Sequence, residues 1–164
     1  HLEPIVARLI RDLPADFISL CLGINVYSRT SLSIRTFRSA AIGMIQTIRD
    51  KQPDVPIAVI SPIFCRSRET EPNAVGLHLV TMRAELQEAV ARLNAIGDTN
   101  LYYVDGLRIL GPEHEHHLPD GVHPDAEGQW VMADNFERYV LSIFDSGRRD
   151  RTVSSSGDRR CGCS

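Results

Sequence analysis

With 164 residues, 43% of them hydrophobic and 24% charged, the chain is one domain's worth and long enough to bury a core. The formal net charge is −3, and residues 146–164 hold five Arg against two Asp, so the part before them is more acidic still, which argues against a nucleic-acid-binding face. No apolar run nears the roughly 18 residues of a membrane helix, and the cysteines form no disulfide framework.

Residues 1–13 place Ile5, Val6, Leu9, Ile10 and Leu13 at helical spacing, predicting an amphipathic helix with these residues inward. The chain opens at His1 inside that helix, without an initiator Met, so the natural N-terminus is expected upstream. Pro14 breaks the pattern. Phe17-Ile18-Ser19-Leu20-Cys21-Leu22 reads as a buried strand ending at Gly23, with a loop over 23–30. Ser31 or Ser33 then caps a helix to about Lys51, with Ile34, Phe37, Ala41, Ile45 and Ile48 inward. Pro53 ends it.

Residues 56–61 form the second buried strand, 62–73 a polar loop and 75–96 a helix. Gly97-Asp98 turns into a third strand over 101–104, which ends at Asp105-Gly106. After an irregular His-containing loop, Pro124 opens a last helix to about Phe144. That helix is expected to bury Trp130, Val131, Ala133, Phe136, Tyr139, Val140 and Ile143. Cys21 and Cys65 read as buried free thiols, and Cys161 and Cys163 sit too close for a usual zinc pair. Residues 146–164 have no periodicity and are expected to be disordered, leaving a single domain over 1–145.

Alternating helices and continuous apolar strands mean a parallel sheet covered on both faces. Ligands of such sheets sit beyond the carboxyl ends of the strands, so the loops after Leu22, Ser61 and Val104 should share the functional edge. Three strands make a thin sheet, a second sign that something lies upstream.

Asp120-Gly121-Val122-His123-Pro124 is the sharpest local feature. A hydrolytic site needs an imidazole to shuttle a proton and a carboxylate to hold its tautomer. Asp and His three residues apart, across a turn that opens a helix, supply both. Taken alone, they are also ordinary turn residues. Gly23-Ile24-Asn25 follows the first strand, where a side-chain amide can donate to a developing oxyanion or simply close a turn.

In this order and context the two features resemble the SGNH hydrolases, also called the GDSL esterase/lipase family. Gly23-Ile24-Asn25 is similar to the family's third sequence block, and Asp120–Pro124, continued by Asp125-Ala126-Glu127-Gly128, to its fifth. The resemblance covers roughly residues 1–145. It implies a three-layer α/β/α, flavodoxin-like parallel sheet that lacks its first strands. It also implies Asn25 as oxyanion donor, His123 as general base and acid, and Asp120 as its orienting partner. The family's Gly-Asp-Ser-like first block and Gly-bearing second block are absent and would precede His1. The reaction implied is hydrolysis of a small carboxylic ester through an acyl-serine, with no metal or organic cofactor.

A serine within the chain is a poor substitute for the missing nucleophile. Ser28 lacks a Gly-x-Ser-x-Gly elbow and Ser61 reads as a turn residue before Pro62, so this chain alone is expected to be inactive. Two other readings compete: a non-catalytic binding module of the same fold, and a metal site. His114, His116, His117, Asp120 and His123, with Glu113 and Glu115, crowd one loop. With no His-x-x-x-His on a helix and no ligand pair on rigid elements, they are expected to form a solvated loop with the first three His exposed. Arg35, Arg38 and Arg83 are expected on solvated helix faces. Tyr27 and Arg29, beside Asn25, either line an acyl or leaving-group pocket or are plain surface. Cys65 has no His partner in sequence.

Overall fold

In a computed structural model, which describes residues 2–144, three short strands pair in parallel in the order β1-β2-β3. They are β1 (Ile18–Cys21), β2 (Ile57–Ile60) and β3 (Leu101–Val104), with Ile18 beside Ile57 and Ile57 beside Leu101. Each lies inside a run where the sequence predicts a strand. The centre of the sheet, β2, is buried at all four residues, because both its edges are paired and both its faces covered.

Strand alternation sorts the side chains onto two faces. Ile18, Leu20, Ile57, Val59 and Leu101 join a large cluster with Phe37, Ile45 and Ile48 of α3 (Phe37–Arg49) and Leu79, Met82 and Leu86 of α4 (Leu79–Ala95). Each such side chain fully buried contributes about 1.5–3 kcal/mol. Ala58, Ile60 and Val104 point the other way, to Val140 and the partly buried Phe136, Tyr139 and Ile143. Phe136 ends α5 (Ala126–Phe136), Tyr139 and Val140 lie in the π-turn Glu137–Leu141 that continues it, and Ile143 follows. The result is the expected three-layer α/β/α arrangement. Its weak point is β1, where burial alternates and Ser19 and Cys21 are exposed. Cys21 is therefore not the buried thiol expected, while Cys65 is. The layer that covers β2 and β3 does not extend over that face of the edge strand.

The helices depart from expectation in informative ways. The first, α1 (Pro4–Asp12), begins on Pro4, whose missing N–H costs nothing there. Its apolar stripe is not inward: Ala7 is buried, Ile10 half-buried, and Ile5, Val6, Leu9 and Leu13 are exposed. Residues 23–30, expected as a loop, hold the short helix α2 (Ile24–Arg29). Helix α3 starts at Phe37, because Ser33 and Thr36 bond each other (Ser33 N–H to Thr36 Oγ1, 3.0 Å) in a turn of their own. Ile34, in that turn, is exposed rather than inward. Helix α4 starts at Leu79 because Asn73 Oδ1 accepts the Val75 and Leu77 N–H groups at 3.1 and 3.0 Å, holding 73–77 in a turn.

Trp130, a core residue by its spacing, is 73% exposed, and Ala133 is exposed too. The inward face of α5 is the one that carries Gly128, Val131 and Met132, and Trp130 and Ala133 lie on the opposite face. Arg83, expected in solvent, is 6% exposed and ion-paired to Glu69 at 2.6 Å. Arg38 pairs with Glu85 at 2.5 Å, and Arg35 is exposed. The 146–164 tail with Cys161 and Cys163 lies outside the described residues.

Candidate active site

The carboxyl ends of the three strands converge on Pro62. Gly23, just after β1, has φ +124°, and a Cβ there would fall 2.5 Å from Pro62 Cγ. A side chain is excluded on both counts. Gly106, just after β3, sits so close that a Cβ would fall 2.1 Å from the Ser61 carbonyl oxygen. The buried Ser61 hydroxyl accepts from Gly106 N–H (2.9 Å) and from the Tyr103 hydroxyl (3.1 Å), tying β2 to β3. Ser61 is thus a structural bridge in the sheet.

From Gly23 the chain enters α2 directly, the Tyr27 N–H bonding to the Gly23 carbonyl at 3.0 Å. Asn25 is exposed in its first turn, and its amide has no hydrogen-bond partner among the described residues. The loop after β2 clamps this helix. Asn73 Nδ2 donates to the Tyr27 carbonyl (3.0 Å), the Tyr27 hydroxyl to the Glu71 carbonyl (3.2 Å), and Arg68 Nη1 to Ser28 Oγ (2.9 Å). Ser28 Oγ also donates to the Ile24 carbonyl at 3.0 Å, so both candidate serines are engaged elsewhere.

Behind the loop lies an arrangement that the sequence does not signal. Arg83 Nε and Nη2 donate to the Pro62 and Ile63 carbonyls (2.9 and 3.1 Å), and its guanidinium meets both Glu69 carboxylate oxygens (2.6 and 2.7 Å). Glu69 in turn accepts from Cys65 N–H at 3.1 Å. One buried cation therefore anchors the Pro62 floor on which Gly23 rests.

Asp120 and His123 are in contact. One Asp120 oxygen accepts the Val122 and His123 backbone N–H groups at 2.9 and 2.7 Å; the other meets His123 Nδ1 at 2.7 Å. Gly121, at φ +78°, makes the turn possible. These bonds, the His123 backbone N–H first, hold the Asp120 carboxyl well below its ordinary range. With Nδ1 so occupied, His123 presents Nε2, which has no partner among the described residues; the His123 side chain is 82% exposed. The turn is footed on α5, where Asp125 caps the helix by accepting Gly128 N–H at 2.7 Å.

Val122, inside the turn, packs against the same core cluster as Ile24 and Tyr27, the neighbours of Asn25. The turn that holds Asp120 and His123 and the helix that holds Asn25 thus lean on one core, with no hydrogen bond between Asn25 and either residue among the described residues. Of the loop histidines, His116 is exposed as expected, but His114 and His117 are half-buried. His117 lies under α5, with Nδ1 3.3 Å from Asp125 Oδ1 and its carbonyl accepting the Asp125 N–H. Among the described residues no three His, Cys, Asp or Glu are grouped to hold a metal ion, and no helix is long and apolar enough to cross a membrane.

Solved structures share this architecture. The salicylyl-acyltransferase SsfX3 from a tetracycline biosynthetic pathway is 32% identical (TM-score 0.78), over 87% of this chain and 42% of its own. A putative GDSL-like lipase from Bacteroides ovatus is 24% identical (TM-score 0.71), over 88% and 40% respectively. A carbohydrate esterase family 3 protein from Talaromyces cellulolyticus is similar in fold at 14% identity (TM-score 0.68), over 88% and 66%. The chain spans about two fifths of the length of the first two. No curated protein matches it. The sequence profile of the GDSL-like lipase/acylhydrolase family matches residues 2–141, nearly all that the structure describes, and the chain belongs to that family.

Proposed function

We propose that this chain carries the acid–base half of a serine ester hydrolase, whose nucleophilic serine comes from a segment outside these 164 residues. One observation carries the reading: His123 Nδ1 is held by Asp120 at 2.7 Å while Nε2 stays unpartnered and open. A fixed tautomer with a free Nε2 is what a general base requires. Two further facts support it. Ser28 and Ser61 are engaged elsewhere, and the chain spans only 42% of its 32%-identical neighbour.

In this reading Nε2 takes the proton as serine Oγ bonds to the ester carbonyl carbon. The Asn25 amide donates to the resulting oxyanion. Collapse breaks the carbonyl carbon–alkoxy oxygen bond, and the imidazolium returns its proton to the departing alcohol. Water, deprotonated by the same Nε2, then releases the acid from the acyl-serine. The acyltransferase name of the 32%-identical neighbour favours a second reading of this last step, with an alcohol acceptor in place of water.

The test is the chain extended by its preceding coding segment, assayed on a short p-nitrophenyl ester. Asn25→Ala should lower kcat by about 10²-fold or more, and His123→Ala by at least about 10³-fold. Activity within a few-fold of wild type in both variants overturns the assignments. A fluorophosphonate should label the extended chain and leave the 164-residue chain unlabelled. An extended chain that neither turns over ester nor takes the label is a non-catalytic binding module.

A further inference from the structure

We propose that Arg68, seconded by Arg29, forms an anion-recognition site beside Asn25, so that the ester accepted there carries a carboxylate or phosphate. Its place in catalysis rests on the ester-hydrolase reading; the ligand preference stands without it.

Three arginines lie on the stretch that connects β2 to α4 or anchor it, and two are neutralised. Arg66 is paired in two-pronged fashion with Glu115, and Arg83 with Glu69. Arg68 has no carboxylate within ion-pair distance among the described residues. Glu71, its neighbour in sequence, meets the site through its backbone carbonyl, which accepts from Tyr27.

The Arg68 guanidinium is nevertheless fixed. Its carbon lies 5.2 Å from the Tyr27 ring centroid, and Nη1 donates to Ser28 Oγ at 2.9 Å. The Tyr27 ring is itself anchored at its hydroxyl by Glu71 and at its backbone carbonyl by Asn73. A merely solvated arginine is not held at two points, ring face and hydroxyl, by groups that leave its charge uncompensated. Held this way, the cation has already lost the rotamer freedom that binding would otherwise cost. Nε and Nη2 make no hydrogen bond among the described residues, and this edge of the fork takes a carboxylate or phosphate by two parallel bonds.

Position connects the cation to the candidate oxyanion donor. Asn25, Ser28 and Arg29 are i, i+3 and i+4 on α2 and share one face. Arg68 bonds to the middle one. Arg29 is exposed, its guanidinium has no partner among the described residues, and it lies four residues from Asn25, about 6 Å along the axis. Two uncompensated cations thus lie one turn along the same helix face from the amide that would hold the carbonyl oxygen. An ester with an anionic group a few bonds from its carbonyl reaches both.

The experiment is an NMR titration of the isotope-labelled 164-residue chain with monomethyl succinate, and with dimethyl succinate as its neutral counterpart. The monoanion should shift the Tyr27, Ser28 and Arg68 amide signals saturably at millimolar concentration, and the diester should not. A monophosphate ester should compete, which separates the two anion sources by relative affinity. Arg68→Gln should weaken monoanion binding about tenfold or more. Arg68→Lys should fail to restore it, because a point charge lacks the fork. Arg66→Gln should change nothing. Equal shifts with the diester, no saturable shift, or indifference to Arg68→Gln overturns the proposal, and the same spectra report whether each variant is folded. Selective binding without ester turnover by the extended chain would instead leave this site standing and remove the hydrolase reading.

Discussion

Asp120 makes three hydrogen bonds with one carboxylate, two to backbone N–H groups and one to His123 Nδ1. All three favour the ionised form, so its pKa falls below the ordinary 3.8. The sign of the linkage follows. The turn's stabilisation is fully present above 3.8 and is lost only as pH falls through the lower folded value. Asp120 should therefore still be ionised at about pH 3, as read from its carboxyl carbon shift. A midpoint at or above the ordinary value would contradict the geometry. Arg83 sets a different expectation. Its removal strands the Glu69 carboxylate in a largely buried site, so Arg83→Met should cost about 3–5 kcal/mol in urea unfolding. Arg83→Met with Glu69→Leu should recover much of that, because no unpaired charge is left behind.

At the scale of elements, the exit of β1 depends on a glycine that has both an unusual dihedral and a neighbour in the way. Gly23→Ala must move Pro62 or the start of α2, and should destabilise by about 1–3 kcal/mol by thermal unfolding. Gly43→Ala is the control, since nothing lies within 4 Å of the added methyl and its helical conformation suits alanine. Much at this scale is legible in the sequence. Continuous apolar runs marked all three strands, and period-3.6 patterns marked α3 and α4. What the periodicity does not carry is direction. The stripe of α1 is as regular as any in the chain, yet Ile5 and Leu9 face out. Trp130 keeps helical spacing with core residues, but its neighbours Val131 and Met132 take the inward face and leave the indole outside. Local hydrogen bonds at Ser33–Thr36 and Asn73 override capping rules that read only residue types. Of the candidate site, the contact between Asp120 and His123 was legible, because the two are three residues apart. The Arg83–Glu69 anchor and the Arg68–Tyr27–Ser28 arrangement were not, since each joins residues far apart in the chain.

For the whole molecule, the two faces of the sheet are unequally finished. The face that meets α1, α3 and α4 is closed over all three strands, whereas the other is closed over β2 and β3 alone. Exposed Phe17 stacks on Phe144 at 4.5 Å between centroids, at the margin of that covered area, and Cys21 lies beyond it. The alternation along β1 thereby supplies the chain with a built-in chemical reporter. Solvent reaches Cys21, although the adjoining core desolvates its thiol and raises its pKa, whereas Cys65 is sealed. With Cys161 and Cys163 replaced by serine, an aromatic disulfide should titrate one thiol in the folded chain and the second only on unfolding. Rapid modification of both thiols, or of neither, would contradict the packing. In a chain extended upstream, the rate at Cys21 becomes a direct reading of whether added sequence lies against this strand: a slowed reaction means the unfinished face has been roofed, and an unchanged one means it stays bare.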